Sequence, residues 1–302
     1  MRSAAVVGTG LIGTSIALAL RGRGVPVHLI DRDPEVARTA AELGAGEVGF
    51  PRTPVDIAVL AVPPQHVAAT LHEYQLRELA VDFTDVASVK VRPQEEAAEL
   101  GCDLTRYLGG HPMAGREQSG PLAAQGDLFR GRPWVLTPAP QTGAATERRV
   151  RELAALCGAR PLVMAHAAHD RAVALTSHAP HVVASLVAAR LLDGDDSQLQ
   201  LAGQGLRDVT RIAGGDAELW TDILGSNATA VAEVLAEVAT ELGTLVDALR
   251  VMGAASPAVP PERYGTSRAH LTTALVRGVR GRGRIPGLAP AAPRLTGAAA
   301  AT

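Results

Sequence analysis

Three glycines, one acid and one histidine carry most of the chemistry this sequence offers. Gly8, Gly10 and Gly13 stand in the spacing G-x-G-x-x-G, after the apolar run Ala4 to Val7 and leading into Thr14 to Leu20. Strand, glycine turn and helix in that order hold a pyrophosphate. The first glycine turns tightly, the second lets backbone approach, and the third packs helix on strand. The phosphates then meet free N–H groups at the positive end of a helix. Leu11 and Ile12, inside the motif, and Val62, ending the third apolar run, complete the candidate cofactor contacts on this turn. Asp31 follows the second run, Val27 to Ile30, close to the spacing at which a carboxylate meets the ribose hydroxyls. A carboxylate there repels a 2′-phosphate, so NAD is expected rather than NADP. Arg32 either binds such a phosphate or stacks on adenine, and stacking is the reading adopted. His111 follows a strand between Gly110 and Pro112. An imidazole titrates near neutral pH and can take a hydroxyl proton as a hydride leaves.

The elements that must position these groups alternate through the first half of the chain. Asp33-Pro34-Glu35 reads as N-cap, first helical position and first-turn acid of a helix that Gly44 closes. Strands are expected at residues 55–62, 81–84, 104–108, 134–137 and 161–164, with helices at 65–73, 93–100 and 146–156 between them. Repeated strand–helix units imply an α/β fold, a Rossmann-type doubly wound, mostly parallel sheet. Ligands bind such sheets beyond the C-terminal strand ends, where Ser88 and His111 fall beside the glycine loop. From 166 the pattern is helical. Residues 168–192 are apolar almost all round and read as one enclosed helix. Residues 198–213 and 218–224 follow, and then a long amphipathic helix at 226–252. The expected organisation is a dinucleotide-binding domain at 1–165, an all-helical substrate and dimerisation domain at 166–287, and a disordered Ala/Pro-rich tail at 288–302. Residues 253–261 read as a linker and 264–276 as a last helix. Arg277, Arg280, Arg282 and Arg284 read as a solvated tail or an arm near an anionic substrate.

The 302 residues are 47% hydrophobic and 20% charged, with a net charge of −2. That balance argues against general affinity for nucleic acid or anionic membrane, and no apolar run is expected to span a bilayer. Cys102 and Cys157 have no CxxC spacing and read as reduced thiols of a cytoplasmic protein. No metal-ligand spacing stands out.

Five ordered motifs carry a family resemblance over roughly residues 4–252. They are the glycine loop; Asp85-Val86-Ala87-Ser88-Val89-Lys90; Gly110-His111-Pro112-Met113-Ala114-Gly115 with Glu117, Ser119 and Gly120; Ser177-His178-Ala179-Pro180-His181; and Gly205 to Ala213 with Trp220. Together they resemble the prephenate/arogenate dehydrogenase family. The resemblance implies NAD-dependent oxidative decarboxylation of prephenate to 4-hydroxyphenylpyruvate, in tyrosine biosynthesis, by a homodimer. It implies that His111 accepts the ring-hydroxyl proton. Ser88 would bond that hydroxyl or orient His111, and could also cap the next helix. Arg211 would bind a substrate carboxylate, with Arg207 one turn earlier as helper. His178 would make a structural contact and His181 a substrate contact, an order the motif does not fix. Arogenate and a 4-amino-4-deoxy analogue are the alternative substrates. A β-hydroxyacid-type dehydrogenase and a non-catalytic NAD-responsive regulator are more remote. The former normally has a lysine in its helical half, whereas the one lysine here, Lys90, lies in the sheet half.

Overall fold

The computed structural model describes residues 1–114, 120–254 and 260–287. Gly115, Glu117 and Ser119, most of the expected linker and the tail from 288 lie outside the described residues. The chain divides into two compact units, residues 1–234 and 235–302.

The first unit is built on eight strands: β1 (Ala4–Val7), β2 (Val27–Ile30), β3 (Glu47–Val48), β4 (Val55–Leu60), β5 (Ala80–Asp85), β6 (Tyr107–Pro112), β7 (Pro133–Thr137) and β8 (Arg160–Val163). They form one sheet in the order β3-β2-β1-β4-β5-β6-β7-β8. All neighbours are parallel except β6 and β7. The order reverses between β1 and β4, which opens a crevice beyond their C-terminal ends.

The helices of the sheet half are α1 (Leu11–Arg21), α2 (Pro34–Glu42), α3 (Val67–Leu76), α4 (Val91–Glu99) and α5 (Ala144–Leu156). One core holds Ile16, Ala17 and Leu20 of α1 with Val150, Leu153 and Ala154 of α5. A second holds Val67, Ala68 and Leu71 of α3 with Ala97 of α4. A fully buried side chain such as Leu20, Leu71 or Ile57 stabilises the sheet by about 1.5–3 kcal/mol. Asp33 caps α2 by accepting from the Glu35 N–H, with Pro34 as the first helical residue, as its sequence predicts.

β6 departs from expectation. Residues 104–106 form a 3₁₀ turn, and the strand runs from Tyr107 through His111 to Pro112. His111 is therefore a strand residue paired with Val135, not a loop residue after the strand. Glycine can occupy Gly110 because a Cβ there would lie 2.8 Å from the Asp85 carbonyl and 2.9 Å from Trp134 Nε1. The strand packs too closely for any side chain at that point.

The helical half departs more. The run expected as one enclosed helix is continuous but not enclosed: it comprises α6 (His166–Val173), a π-turn at Ala174–His178, and α7 (Ala179–Ala189). Leu175, Leu186 and Leu192 are exposed rather than enclosed. The continuous helical stretch from 166 to 193 does reach spanning length and apolarity, with a mean hydropathy of 1.4, contrary to the expectation that none would. Its buried side nevertheless carries His169, Asp170, His178 and His181. The next expected helix is split, into α8 (Asp196–Leu199) and α9 (Gln204–Thr210), followed by α10 (Ala217–Ser226) and α11 (Ala228–Gly253).

In the second unit, α12 (Pro261–Arg282) is longer than predicted. Arg277, Arg280 and Arg282 are its last turns and not a tail. Arginine is a good helix former, and cations complement the negative end of the dipole. Arg277 pairs with Glu241 at 2.7 Å.

Candidate active site

A cavity of about 650 Å³ opens where the sheet order reverses. Gly10, Leu11, Ile12, Gly13 and Val62 line one part of it, Ser88 and His111 another, and Arg211, Asp216 and Trp220 a third. Residues from five distant stretches thus meet at one site.

The glycine loop is shaped for a dinucleotide. Gly8 has φ +91°, and a Cβ there would overlap the Ala61 carbonyl; a Cβ on Gly13 would overlap the Gly8 carbonyl. Among the described residues no side chain caps α1. The first N–H groups of that helix therefore face the cavity without a side-chain partner, as an anion site requires. Asp31 and Arg32 do not line the cavity. Asp31 binds the loop itself, through Thr9, and Arg32 is exposed.

His111 is the near end of a hydrogen-bonded chain. Its Nδ1 lies 2.8 Å from His169 Nε2, and His169 Nδ1 lies 2.7 Å from Asp170 Oδ1. Burial alone would raise the Asp170 carboxyl. Hydrogen bonds from His169 and from the N–H groups of Val91 and Lys90 outweigh burial and hold it below its ordinary value. An ionised Asp170 only accepts, so His169 Nδ1 carries the proton and His169 Nε2 the lone pair. His111 Nδ1 must then donate. His111 Nε2 is left as the unprotonated ring nitrogen.

Burial, and then the charges of His169, Lys90 and His178, push the His111 imidazole well below its ordinary value. It is a neutral base at physiological pH. The acid limb of kcat/KM should therefore lie below the ordinary histidine value of about 6.5. A pH–rate profile with a limb at or above that value would show that another group is titrating.

Lys90 lies beneath the site, almost completely buried. Its Nζ pairs with Asp85 and donates to the Gly110 carbonyl at 2.6 Å, one residue before His111. Tyr107 donates to the second oxygen of Asp85 at 2.6 Å. Burial lowers the Lys90 pKa, and the Asp85 charge opposes that shift. Sequence reasoning did not single out His169 or Asp170, and gave Lys90 no role at the site beyond its place in the second motif. A polar His-Asp pair inside an otherwise apolar helix was the available signal.

Ser88 lines the cavity but does not cap α4. Asp170 does so from another element, accepting from Lys90 N at 2.8 Å and Val91 N at 2.9 Å. Arg211 follows α9 and reaches the cavity wall; Arg207, exposed on that helix, does not line it. His178 and His181 are buried behind the wall. His178 Nδ1 lies 3.1 Å from Asn227 Nδ2, and burial first of all pulls its pKa to about 4. His181 stacks on Trp220, with ring centres 3.6 Å apart, and Trp220 itself faces the cavity. Ser177 of the π-turn also faces it. Such turns recur at functional sites. Gln65, after β4, donates to Asp222 of α10 at 2.5 Å, tying that helix to the sheet half of this unit.

A glycine-loop sheet with a base and a guanidinium on one cavity defines a dinucleotide-dependent dehydrogenase with a helical second part. The family model described as prephenate dehydrogenase, nucleotide-binding domain, matches residues 16–163, and its dimerization-domain counterpart matches residues 165–255. The chain belongs to the prephenate dehydrogenase family. It is 45% identical over 290 residues to the probable prephenate dehydrogenase NovF of Streptomyces niveus, covering 95% of this chain and 78% of that protein. The arogenate dehydrogenase of Synechocystis superposes with a TM-score of 0.72 at 28% identity, over 93% of this chain and 99% of that one. The prephenate dehydrogenase of A. aeolicus, solved with hydroxyphenyl propionate and NAD+, shares the fold with a TM-score of 0.78 at 24% identity, over 93% of this chain and 98% of that one.

Proposed function

We propose that the chain catalyses oxidative decarboxylation of prephenate to 4-hydroxyphenylpyruvate in tyrosine biosynthesis. The cofactor is NAD, held by the glycine loop and the N-terminus of α1. When bound it accepts a hydride. The observation that carries the reading is the meeting of His111, Ser88 and Arg211 on one cavity with that loop.

His111 Nε2 takes the proton of the ring hydroxyl as hydride leaves the same carbon. Ser88 orients that hydroxyl. The ring carboxylate departs as CO2, its electron pair aromatises the ring, and the proton returns from His111 to the phenol oxygen. Arg211 holds a substrate carboxylate. Ile12, Val62, Val86, Leu219 and Ile223 supply apolar wall, which keeps water from the reacting carbon and favours loss of charge as CO2. His169 and Asp170 act through His111 by fixing its tautomer. The protein works as a homodimer through its dimerisation domain, in the cytoplasm, where its two free cysteines stay reduced.

Purified protein tested with NAD and each of prephenate, arogenate and the 4-amino-4-deoxy analogue decides the matter. Prephenate is expected to give the highest kcat/KM, read as NADH absorbance, and no turnover of prephenate would remove the reading. Asp216 on the cavity wall supports a second one, use of arogenate, whose side-chain ammonium a carboxylate can meet. Asp216 also accepts from Leu219 N at 2.8 Å, which fixes its position. On that reading Asp216→Asn lowers kcat/KM for arogenate by roughly fivefold, the worth of a partly solvated ion pair, and leaves prephenate unchanged.

A further inference from the structure

Asp31 is held in a way that an acid at the end of a strand need not be. Its Oδ2 accepts two hydrogen bonds from one residue, Thr9, from the N–H at 2.6 Å and from Oγ1 at 2.9 Å. Its Oδ1 accepts from the Asp33 N–H at 3.0 Å. Thr9 is fully buried, and its own carbonyl accepts from Thr14 Oγ1 of α1 at 2.7 Å. The carboxylate is thus the last link of a chain that begins in the helix expected to face the pyrophosphate.

A carboxylate has about four acceptor sites. Among the described residues three are filled, two of them on Oδ2. The remaining site is on Oδ1, enough for one hydroxyl donor and useless to a 2′-phosphate, which only accepts and carries negative charge. A carboxylate free to rotate could swing away from such a phosphate. Exposed Arg32, the next residue, would then meet it, because a guanidinium binds phosphate well.

We infer that Thr9 sets cofactor selectivity. Its hydroxyl fixes the Asp31 carboxylate against the glycine loop, beyond the end of the second strand where a bound dinucleotide's ribose would meet it, so the chain takes a 2′-hydroxyl and rejects a 2′-phosphate. Thr9 is a positioning residue here, acting through Asp31. The inference concerns the cofactor's sugar and goes beyond the substrate reading; it stands whichever cyclohexadienyl acid is turned over.

The test is calorimetric binding to the full chain of two unreactive probes, ADP-ribose and its 2′-phospho form. Wild type should prefer ADP-ribose by about a hundredfold, the scale of one like-charge clash at a half-buried carboxylate. Thr9→Val keeps the shape and removes the O–H. It should cut that preference roughly tenfold, the worth of one hydrogen bond to a charged group, chiefly by tightening the 2′-phospho probe. Thr9→Ser should keep the wild-type preference. Arg32→Ala added to Thr9→Val should abolish the gain. A merely structural role would weaken both probes alike and leave their ratio unchanged. An unchanged ratio in Thr9→Val, or an equal fall in Thr9→Ser, overturns the inference. Should the valine variant fail to fold, Thr9→Ala carries the same expectation.

Discussion

His111→Asn is expected to lower kcat by about 10²–10⁴ and to leave KM nearly unchanged. Asparagine keeps a polar group of similar reach on β6 and can still donate to His169. It cannot take a proton. The substrate therefore binds much as before, and the hydroxyl proton has nowhere to go as the hydride departs. The network adds a sharper expectation. Because His169 and Asp170 fix which nitrogen of His111 is free, His169→Asn should slow the same step less severely and displace the acid limb of the pH profile. A packing role for His169 would change stability without moving that limb. Steady-state kinetics of both variants across pH, read beside thermal melts, separates the two. Wild-type kcat in His111→Asn would place the base elsewhere.

What could be read from the sequence, and what could not, follows from the range of the interactions. The strand, glycines, helix and second strand form a local unit, each part fixed by spacing to its neighbour, and the structure has these elements in that order; Asp31, after the second strand, turns to Thr9 of the loop. The α2 cap is equally local. The sheet half as a whole follows from repeated crossovers, which leave few topologies open. The antiparallel pairing of β6 with β7 does not follow from them. Two glycines made β6 seem to end early, because glycine weakens a strand by itself. Only the crowding by Trp134 and Asp85 shows why they are tolerated within it.

The π-turn, Ala174–His178, contains no glycine or proline that would announce it. Asp170 caps α4 from about 80 residues away, and His169 meets His111 across 58. Such pairings are invisible to periodicity. They depend on which faces of two elements the tertiary fold brings together. The convergence of Ser88, His111 and Arg211 is also long-range, but it could be anticipated because five motifs in order restrict the fold that must contain them.

Arg211→Ala is expected to weaken substrate binding, raising KM with a smaller change in kcat. Removing one partner of a desolvated charge pair costs about 2–5 kcal/mol. Arg211 lies on an exposed part of the cavity wall, so the effect belongs near the lower end, on the order of 30-fold in KM. Arg211→Lys separates charge from geometry. A lysine keeps the positive charge and loses the planar fork that meets a carboxylate with two donors. It should recover only part of the loss. Full recovery would mean that Arg211 acts through field alone, and wild-type KM in the alanine variant would mean that the substrate carboxylate lies elsewhere. The two substitutions make a joint signature. His111 sits on the sheet and Arg211 on the turn after α9, and they meet only across the cavity. If that cavity holds the substrate, loss at one residue falls on kcat and loss at the other on KM. Two residues serving separate surfaces would not divide the kinetics in this way.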